Sequence, residues 1–321
     1  MPSLRCRLFL FILHHRHLLR FHLKPDTQAD WETQLPTVRE SAAKAARLLG
    51  RVPSGIEAVS ADVPGIPAEW IKPAGEGVLD AAILYFHGGG YVMGTVEQHR
   101  GIVAKFVKAS GIPALLFGYR LAPENPYPAA LDDALAAYAW LLGQGIPAWR
   151  IAFAGDSAGG GLLLAALLAG RDRGLPLPAA AVALSPFTDL TCSGESLTTN
   201  AKTCLAPPGS WLACRNHYAR GRDFSDPYLS PLCGDLTGLP PMLLFAGGAE
   251  TLRDDAVRFA QKAAASGVDV TLRVGEGLCH CYPACAPIFP EATAAMQEIG
   301  GFLAKHVKGE GGSPRRPMGD R

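Results

Sequence analysis

Three stretches of the chain carry residue types that do acyl-transfer chemistry once a fold gathers them. In Gly155-Asp156-Ser157-Ala158-Gly159 an apolar run ends and a segment rich in Gly, Ala and Leu begins at once, the pattern of a strand, a sharp turn and a buried helix. The spacing G-x-S-x-G is that of a nucleophile elbow. Glycines on either side let strand and helix close up and hold the serine in a strained, exposed position. A second stretch, His87-Gly88-Gly89-Gly90, follows the apolar Tyr85-Phe86. Consecutive glycines leave backbone N–H groups free to converge on an anion, as an oxyanion hole requires. Ala158, next to the serine at a helix N-terminus, offers another such N–H.

A hydroxyl attacks a carbonyl only when a base takes its proton, and the base in turn needs a carboxylate to orient it. On a strand–turn–helix elbow these follow in the order serine, acid, histidine. Of the nine histidines, His280 and His306 lie beyond the serine and outside the irregular stretch 188–240, which holds His217. His280 follows an apolar run through Gly275-Glu276-Gly277, a strand-end loop, whereas His306 falls late in a terminal helix. His280 is therefore the expected base. For the acid, the run 242–246 leads into Gly247-Gly248-Ala249-Glu250. Glu250 sits on that loop and stands first. Asp254, in the first turn of the next helix where acids commonly suit the dipole, stands second.

The elements that must position these groups alternate along the chain. Residues 38–49 have helical character, and 56–63 and 68–72 form an antiparallel pair across Pro64-Gly65. Apolar runs at 82–86, 114–119, 151–154, 179–184, 242–246 and 268–274 then alternate with helical segments at 97–110, 129–142, 158–170, 253–266 and 291–306. Near-continuous apolar strands between helices predict an α/β fold, a mostly parallel central sheet covered by helices on both faces. Its chemistry belongs at the carboxyl ends of the strands. Residues 188–240 break the rhythm and are expected, with 1–55, to form a helical cap on a single domain spanning 1–321; 309–321 read as a disordered tail.

Composition limits the partners. The chain has 321 residues, 48% of them hydrophobic, and a net charge of +1, which gives no concentrated basic face for nucleic acid. Eight irregularly spaced cysteines suit a reducing, cytoplasmic setting rather than a disulfide scaffold. The apolar run 8–13 is too short for a secretory signal or a spanning helix. Residues Leu8, Leu10, Phe11, Leu18, Leu19 and Phe21 instead suggest a basic amphipathic segment that rests on the body of the protein or touches a membrane surface; packing is the favoured reading, and a membrane is not the expected partner. No phosphate-loop or dinucleotide pattern follows a strand, so no cofactor is expected. Cys279, His280, Cys281 and Cys285 lack paired metal-ligand spacing, and no metal is expected. Asp156 is expected to tie down backbone amides, and Arg120 to pair with Glu124. A homodimer is an open possibility.

His87-Gly-Gly-Gly, Tyr119-Arg-Leu-Ala-Pro-Glu124 with Pro126 and Pro128, Gly155-Asp-Ser-Ala-Gly-Gly160, and the Glu250 and His280 loops together resemble the hormone-sensitive-lipase-like family of α/β-hydrolases. The resemblance spans about residues 81–282. It implies an α/β-hydrolase fold and a serine carboxylesterase with Ser157 as nucleophile, His280 as base, Gly89, Gly90 and Ala158 as oxyanion donors, and His87 and Gly88 shaping their loop. Glu250 stands where many members carry Asp, and Cys281-Tyr282 where Gly-Phe is frequent. The implied substrate is a small ester with a short acyl chain, with a lactone or an acetyl ester as alternatives. A non-catalytic binding protein of the same fold would have lost the histidine that this chain keeps.

Overall fold

The structure, a computed structural model, describes residues 1–15, 34–40, 50–75, 77, 79–207 and 209–309. Its centre is an eight-stranded sheet in the order β1-β2-β4-β3-β5-β6-β7-β8. Strands β1 (Ile56–Val63) and β2 (Ile66–Pro73) form the hairpin, with Val63 opposite Ile66 across Pro64-Gly65, and β2 also runs antiparallel to β4 (Ala114–Phe117). From there β3 (Ala82–Phe86), β5 (Ile151–Asp156), β6 (Ala180–Leu184), β7 (Met242–Gly247) and β8 (Val270–Gly275) are parallel. All residues of β3, β5, β6 and β7 are buried, which is why these runs carry no polar alternation.

The helices are α1 (Leu4–His14), α2 (Val96–Ser110), α3 (Ala129–Gly143), α4 (Ala158–Asp172), α5 (Ser196–Thr199), α6 (Ser210–Ala219), α7 (Arg253–Ala265) and α8 (Pro290–Val307). Residues 34–40 are also helical; the rest of the helix expected at 38–49 lies outside the described residues. Two cores form, one per sheet face. Leu84 and Phe86 point to the face covered by α3, α4 and α7, with Tyr138, Leu163 and Phe259. Ile83 and Tyr85 point to the other, with Phe106 of α2 and Leu303 of α8. The alternation of a pleated strand thus feeds both layers. Among the described residues no helix is long and apolar enough to cross a membrane.

Three expectations shift in detail. Strand β4 stops at Phe117: in the next pair in register the Gly118 N–H still reaches the Pro67 carbonyl at 2.7 Å, but Pro67 has no N–H to return the bond. Strand β8 starts at Val270, because Val268 N–H still bonds Ala263 O at the end of α7. Helix α1 does rest on the body, but through Cys6, Phe9 and Leu10, while Leu8 and Phe11 face outward; Leu18, Leu19 and Phe21 lie outside the described residues, as do 310–321 of the tail. The inward spacing is i, i+3, i+4, and Ser3 Oγ donates to Glu291 at the head of α8.

Candidate active site

Strand β5 ends on Asp156, and Ser157 turns the chain into α4 with φ 56° and ψ −123°. A non-glycine residue there costs on the order of 1–3 kcal/mol. Its own backbone bonds hold it: Ser157 N–H donates to Leu184 O at 2.8 Å, and Ser157 O accepts from Gly161 and Phe187, both at 3.1 Å. The turn closes only because Gly159 has no side chain. A Cβ there would lie 2.1 Å from Phe86 O and 2.4 Å from His87 O.

The His87–Gly90 loop is fastened to the elbow from below. Asp156 Oδ1 accepts from Tyr85 Oη at 2.9 Å and from Gly88 N–H at 3.1 Å, the backbone tie expected of it. Gly89 (φ 123°) and Gly90 (φ 64°) occupy conformations that side chains disfavour, and a Cβ on Gly89 would meet Met93 O at 2.1 Å. Among the described residues the Gly89, Gly90 and Ala158 N–H groups have no hydrogen-bond partner. His87 is fully buried and stacks on Tyr119 with centroids 4.1 Å apart. Burial pulls its pKa down to about 3, so the ring is neutral. Its Nδ1–H donates to Gly88 O at 2.9 Å, and Tyr119 Oη donates to His87 O at 2.8 Å. His87 therefore shapes the loop.

Glu250 lies on the turn after β7 and His280 on the loop after β8. The His280 Nδ1–H donates to Glu250 Oε2 in a short bond, while Glu250 Oε1 accepts from Gly247 N–H at 2.7 Å. Glu250 is fully buried. Asn200 Nδ2 donates to the Glu250 carbonyl at 2.9 Å, and Thr203 Oγ1 to that of Ala249 at 2.9 Å, so the segment after β6 braces the acid loop. Burial works against a charged His280, but Cys281 and the Glu250 carboxylate beside it outweigh that and hold its pKa well above 6.5. Asp254 is directed elsewhere: its Oδ2 accepts from Ser196 N–H at 2.8 Å, and its Oδ1 from Arg253 Nε at 2.9 Å.

Arg120 does not meet Glu124. Its guanidinium and N–H both reach Asp133 on α3, the closest contact 2.7 Å, and Glu124 pairs with Arg39 at 2.7 Å. The sequence-adjacent partner loses to a helix that presents its carboxylate to both donors of Arg120. Arg39 also donates to Val92 O and Ala122 O, each at 2.6 Å, which places residues 34–40 beside the glycine loop. Among the described residues no group of three or more His, Cys, Asp or Glu is arranged to hold a metal ion.

Ser157, His280 and Gly88–Gly90 line one cavity of about 350 Å³. Its far wall holds residues that sequence reasoning did not single out as functional. Trp211 and Cys214 come from α6, and Gln98 and His99 from the first turn of α2. The Trp211 ring lies 5.4 Å from that of His280. The only sequence signal was a tryptophan in a stretch without regular pattern.

A parallel sheet with a serine on the strand–helix turn, a histidine–carboxylate pair and a glycine-rich loop at the same strand ends defines the α/β-hydrolase class. Comparison with known proteins agrees: the family described as having the alpha/beta hydrolase fold matches residues 83–284. The chain is 43% identical to an acetyl-hydrolase of Streptomyces hygroscopicus over 76% of its own length and 81% of that protein's. It is 33% identical to an ethyl acetate hydrolase of Pseudomonas putida over 79% and 83% of the two lengths. A crystal structure of an esterase from the bacterial hormone-sensitive lipase family superposes with a TM-score of 0.85 at 39% identity, covering 96% of this chain and 99% of that one. The esterase EstE5, soaked with p-nitrophenyl butyrate, gives 0.86 at 38% identity over 95% and 99%. The chain belongs to the hormone-sensitive-lipase family of α/β-hydrolases, and it is a carboxylic ester hydrolase.

Proposed function

We propose that the enzyme cleaves short-chain carboxylic esters, acetyl esters among them, through an acyl-enzyme on Ser157. The observation that supports this is that Ser157, the Glu250-bound His280 and the unpartnered Gly89 and Gly90 N–H groups meet at one cavity, with the unpartnered Ala158 N–H next to the serine. His280 takes the Ser157 proton as Oγ attacks the ester carbonyl, and Glu250 stabilises the imidazolium. The carbonyl oxygen becomes an oxyanion against the Gly89, Gly90 and Ala158 N–H groups, with the α4 dipole behind Ala158. His280 then protonates the departing alcohol, and water attacks the acyl-serine by the same route. The cap would come from residues 188–240 with residues 1–55; Ala206, Pro207, Ser210, Trp211 and Cys214 of the former line the cavity.

A short substrate is favoured by size. Ligand pockets run from about 300 to 1,000 Å³, and 350 Å³ lies at the small end. The two curated relatives described above are named for acetyl hydrolysis and for ethyl acetate, which supports acetyl and other short acyl groups. The test is hydrolysis of p-nitrophenyl acetate and butyrate by wild type, Ser157→Ala, Glu250→Ala and Asp254→Ala. Loss of the serine or the glutamate is expected to lower kcat/KM by about 10⁴-fold, and Asp254→Ala to leave it within an order of magnitude. Activity surviving in Ser157→Ala refutes the mechanism; loss in Asp254→Ala with Glu250→Ala intact reassigns the acid.

A further inference from the structure

Trp211 lines the catalytic cavity and also a second cavity of about 250 Å³ next to it, and among the described residues the two share Ala206, Pro207 and Trp211. Ala206 carries a methyl group and Pro207 a fixed ring, so the indole is the largest part of the partition. It is held tilted against the His280 ring, the two planes 59° apart. Nε1–H donates to Thr251 Oγ1 at 2.8 Å, one residue past Glu250, and the ring packs between His280 and Phe187, 5.4 Å from each. Behind it, Leu197, Ala201 and Leu212 face the second cavity, whose lining among the described residues includes no ionised side chain; the one titratable group among them, Cys192, is pushed up to about 12 by burial. Such a space suits a hydrocarbon chain and repels a sugar or a charged group.

We infer that Trp211 is the specificity-determining residue that ends the alkyl arm of the ester. Its ring closes the passage from Ser157 into an apolar cavity that would otherwise accept several more methylenes. The inference rests on the esterase mechanism proposed above and adds the substrate class: esters whose alkyl arm stops at the indole. Trp211 touches substrate as a wall and takes no part in proton transfer.

Removing the ring joins the two cavities, and each methylene then buried is worth about fourfold in kcat/KM. The test measures kcat/KM on two series: p-nitrophenyl esters from acetyl to decanoyl, and acetates of straight-chain alcohols from ethanol to decanol. Enzymes are wild type, Trp211→Ala, Trp211→Leu and Trp211→Phe. Wild type is expected to decline beyond about four carbons. Trp211→Ala, normalised to the shortest ester, is expected to peak at least two carbons later in one series and to gain about tenfold or more on the eight-carbon member. Trp211→Leu is expected to fall between, which keeps the test open if Trp211→Ala folds poorly. Trp211→Phe keeps an aromatic wall but loses the bond to Thr251, and should keep the wild-type profile. Profiles of Trp211→Ala and Trp211→Leu that overlay wild type in both series overturn the inference. So does a Trp211→Phe shift as large as that of Trp211→Ala, which would assign the effect to the lost anchor. Either result leaves the serine mechanism standing, since that is decided separately by Ser157→Ala.

Discussion

His280 sits where burial and a carboxylate pull in opposite directions, and the carboxylate side wins. In the proposed mechanism, a pKa held above 6.5 means that the free enzyme must lose a proton from this ring before Ser157 can be deprotonated. Activity should therefore rise with pH through an apparent pKa above 6.5, and fall away in acid as the imidazolium forms. In Glu250→Gln the neutral amide no longer favours the imidazolium, so the residual activity should titrate at lower pH than wild type. The check is kcat/KM on p-nitrophenyl acetate from pH 5 to 9 for both enzymes; a profile flat between pH 5 and 8, or identical midpoints, contradicts the assignment. That Glu250, His280 and the Gly88–Gly90 run would meet at one end of the sheet was legible in the sequence because each lies just past an apolar strand, where a parallel sheet gathers its loops. Trp211 was not, since its contact with His280 spans 69 positions of chain and depends on how the segment after β6 folds back. The Arg120–Asp133 pair was missed because both partners could be read only by knowing that α3 turns its first turns toward the loop after β4.

At the scale of elements, the approach of α4 to β3 decides whether the serine and the oxyanion donors share a site. Gly159→Ala places a methyl carbon 2.1 Å from Phe86 O, backbone that cannot swing aside. The helix must back away, at a cost of roughly 1–3 kcal/mol, and it carries Ala158 N–H with it. Both a lower Tm and a fall in kcat are expected, whereas Gly143→Ala on α3, where nothing lies within 4 Å, should raise stability by about 0.5–1 kcal/mol and leave kcat alone. Thermal melts and turnover of the two variants check this; a Gly159→Ala enzyme with wild-type Tm and kcat would show that the contact is not limiting. The strands and helices of the sheet were readable to within a few residues because strands buried on both faces are uninterrupted apolar runs. Helix α6 was not, because its buried face is Ser210, Ala213, Cys214, Tyr218 and Ala219, a stripe too small and polar to stand out against the surrounding Pro and Gly. The inward face of α1 escaped for a related reason: it is apolar nearly all round, so periodicity alone does not say which side packs.

For the molecule as a whole, the point where the chain leaves the sheet after β6 is pinned by one buried carboxyl. Asp255 Oδ2 accepts the N–H groups of Thr188 and Asp189 at 2.8 and 2.9 Å, joining the start of the 188–240 segment to α7. The neighbouring Arg258 is already engaged by Asp189 at 2.7 Å and stays 3.8 Å from Asp255 Oδ1, which has no hydrogen bond. One guanidinium thus lies beside two carboxyls and is hydrogen-bonded to one of them, that of Asp189. Burial first, and then the Asp189 charge, raise the Asp255 pKa from 3.8 to about 8, so this group is protonated in the folded protein at neutral pH. A folded-state pKa above the unfolded one means that the folded state binds the extra proton. Stability from this site is complete below about pH 4 and is lost progressively as pH rises toward about 8. His280, also raised, contributes a slope of the same sign, so wild type alone does not isolate Asp255. The difference from Asp255→Asn does. The amide oxygen can still accept from Thr188 and Asp189, and it cannot ionise. The Tm of Asp255→Asn is expected to fall less than that of wild type between pH 5 and 8, with the two curves closest in acid and the variant higher at pH 8. Parallel curves, or a variant that loses more on the alkaline side, would mean that Asp255 is ionised in the fold and that Arg258 serves both carboxylates after all.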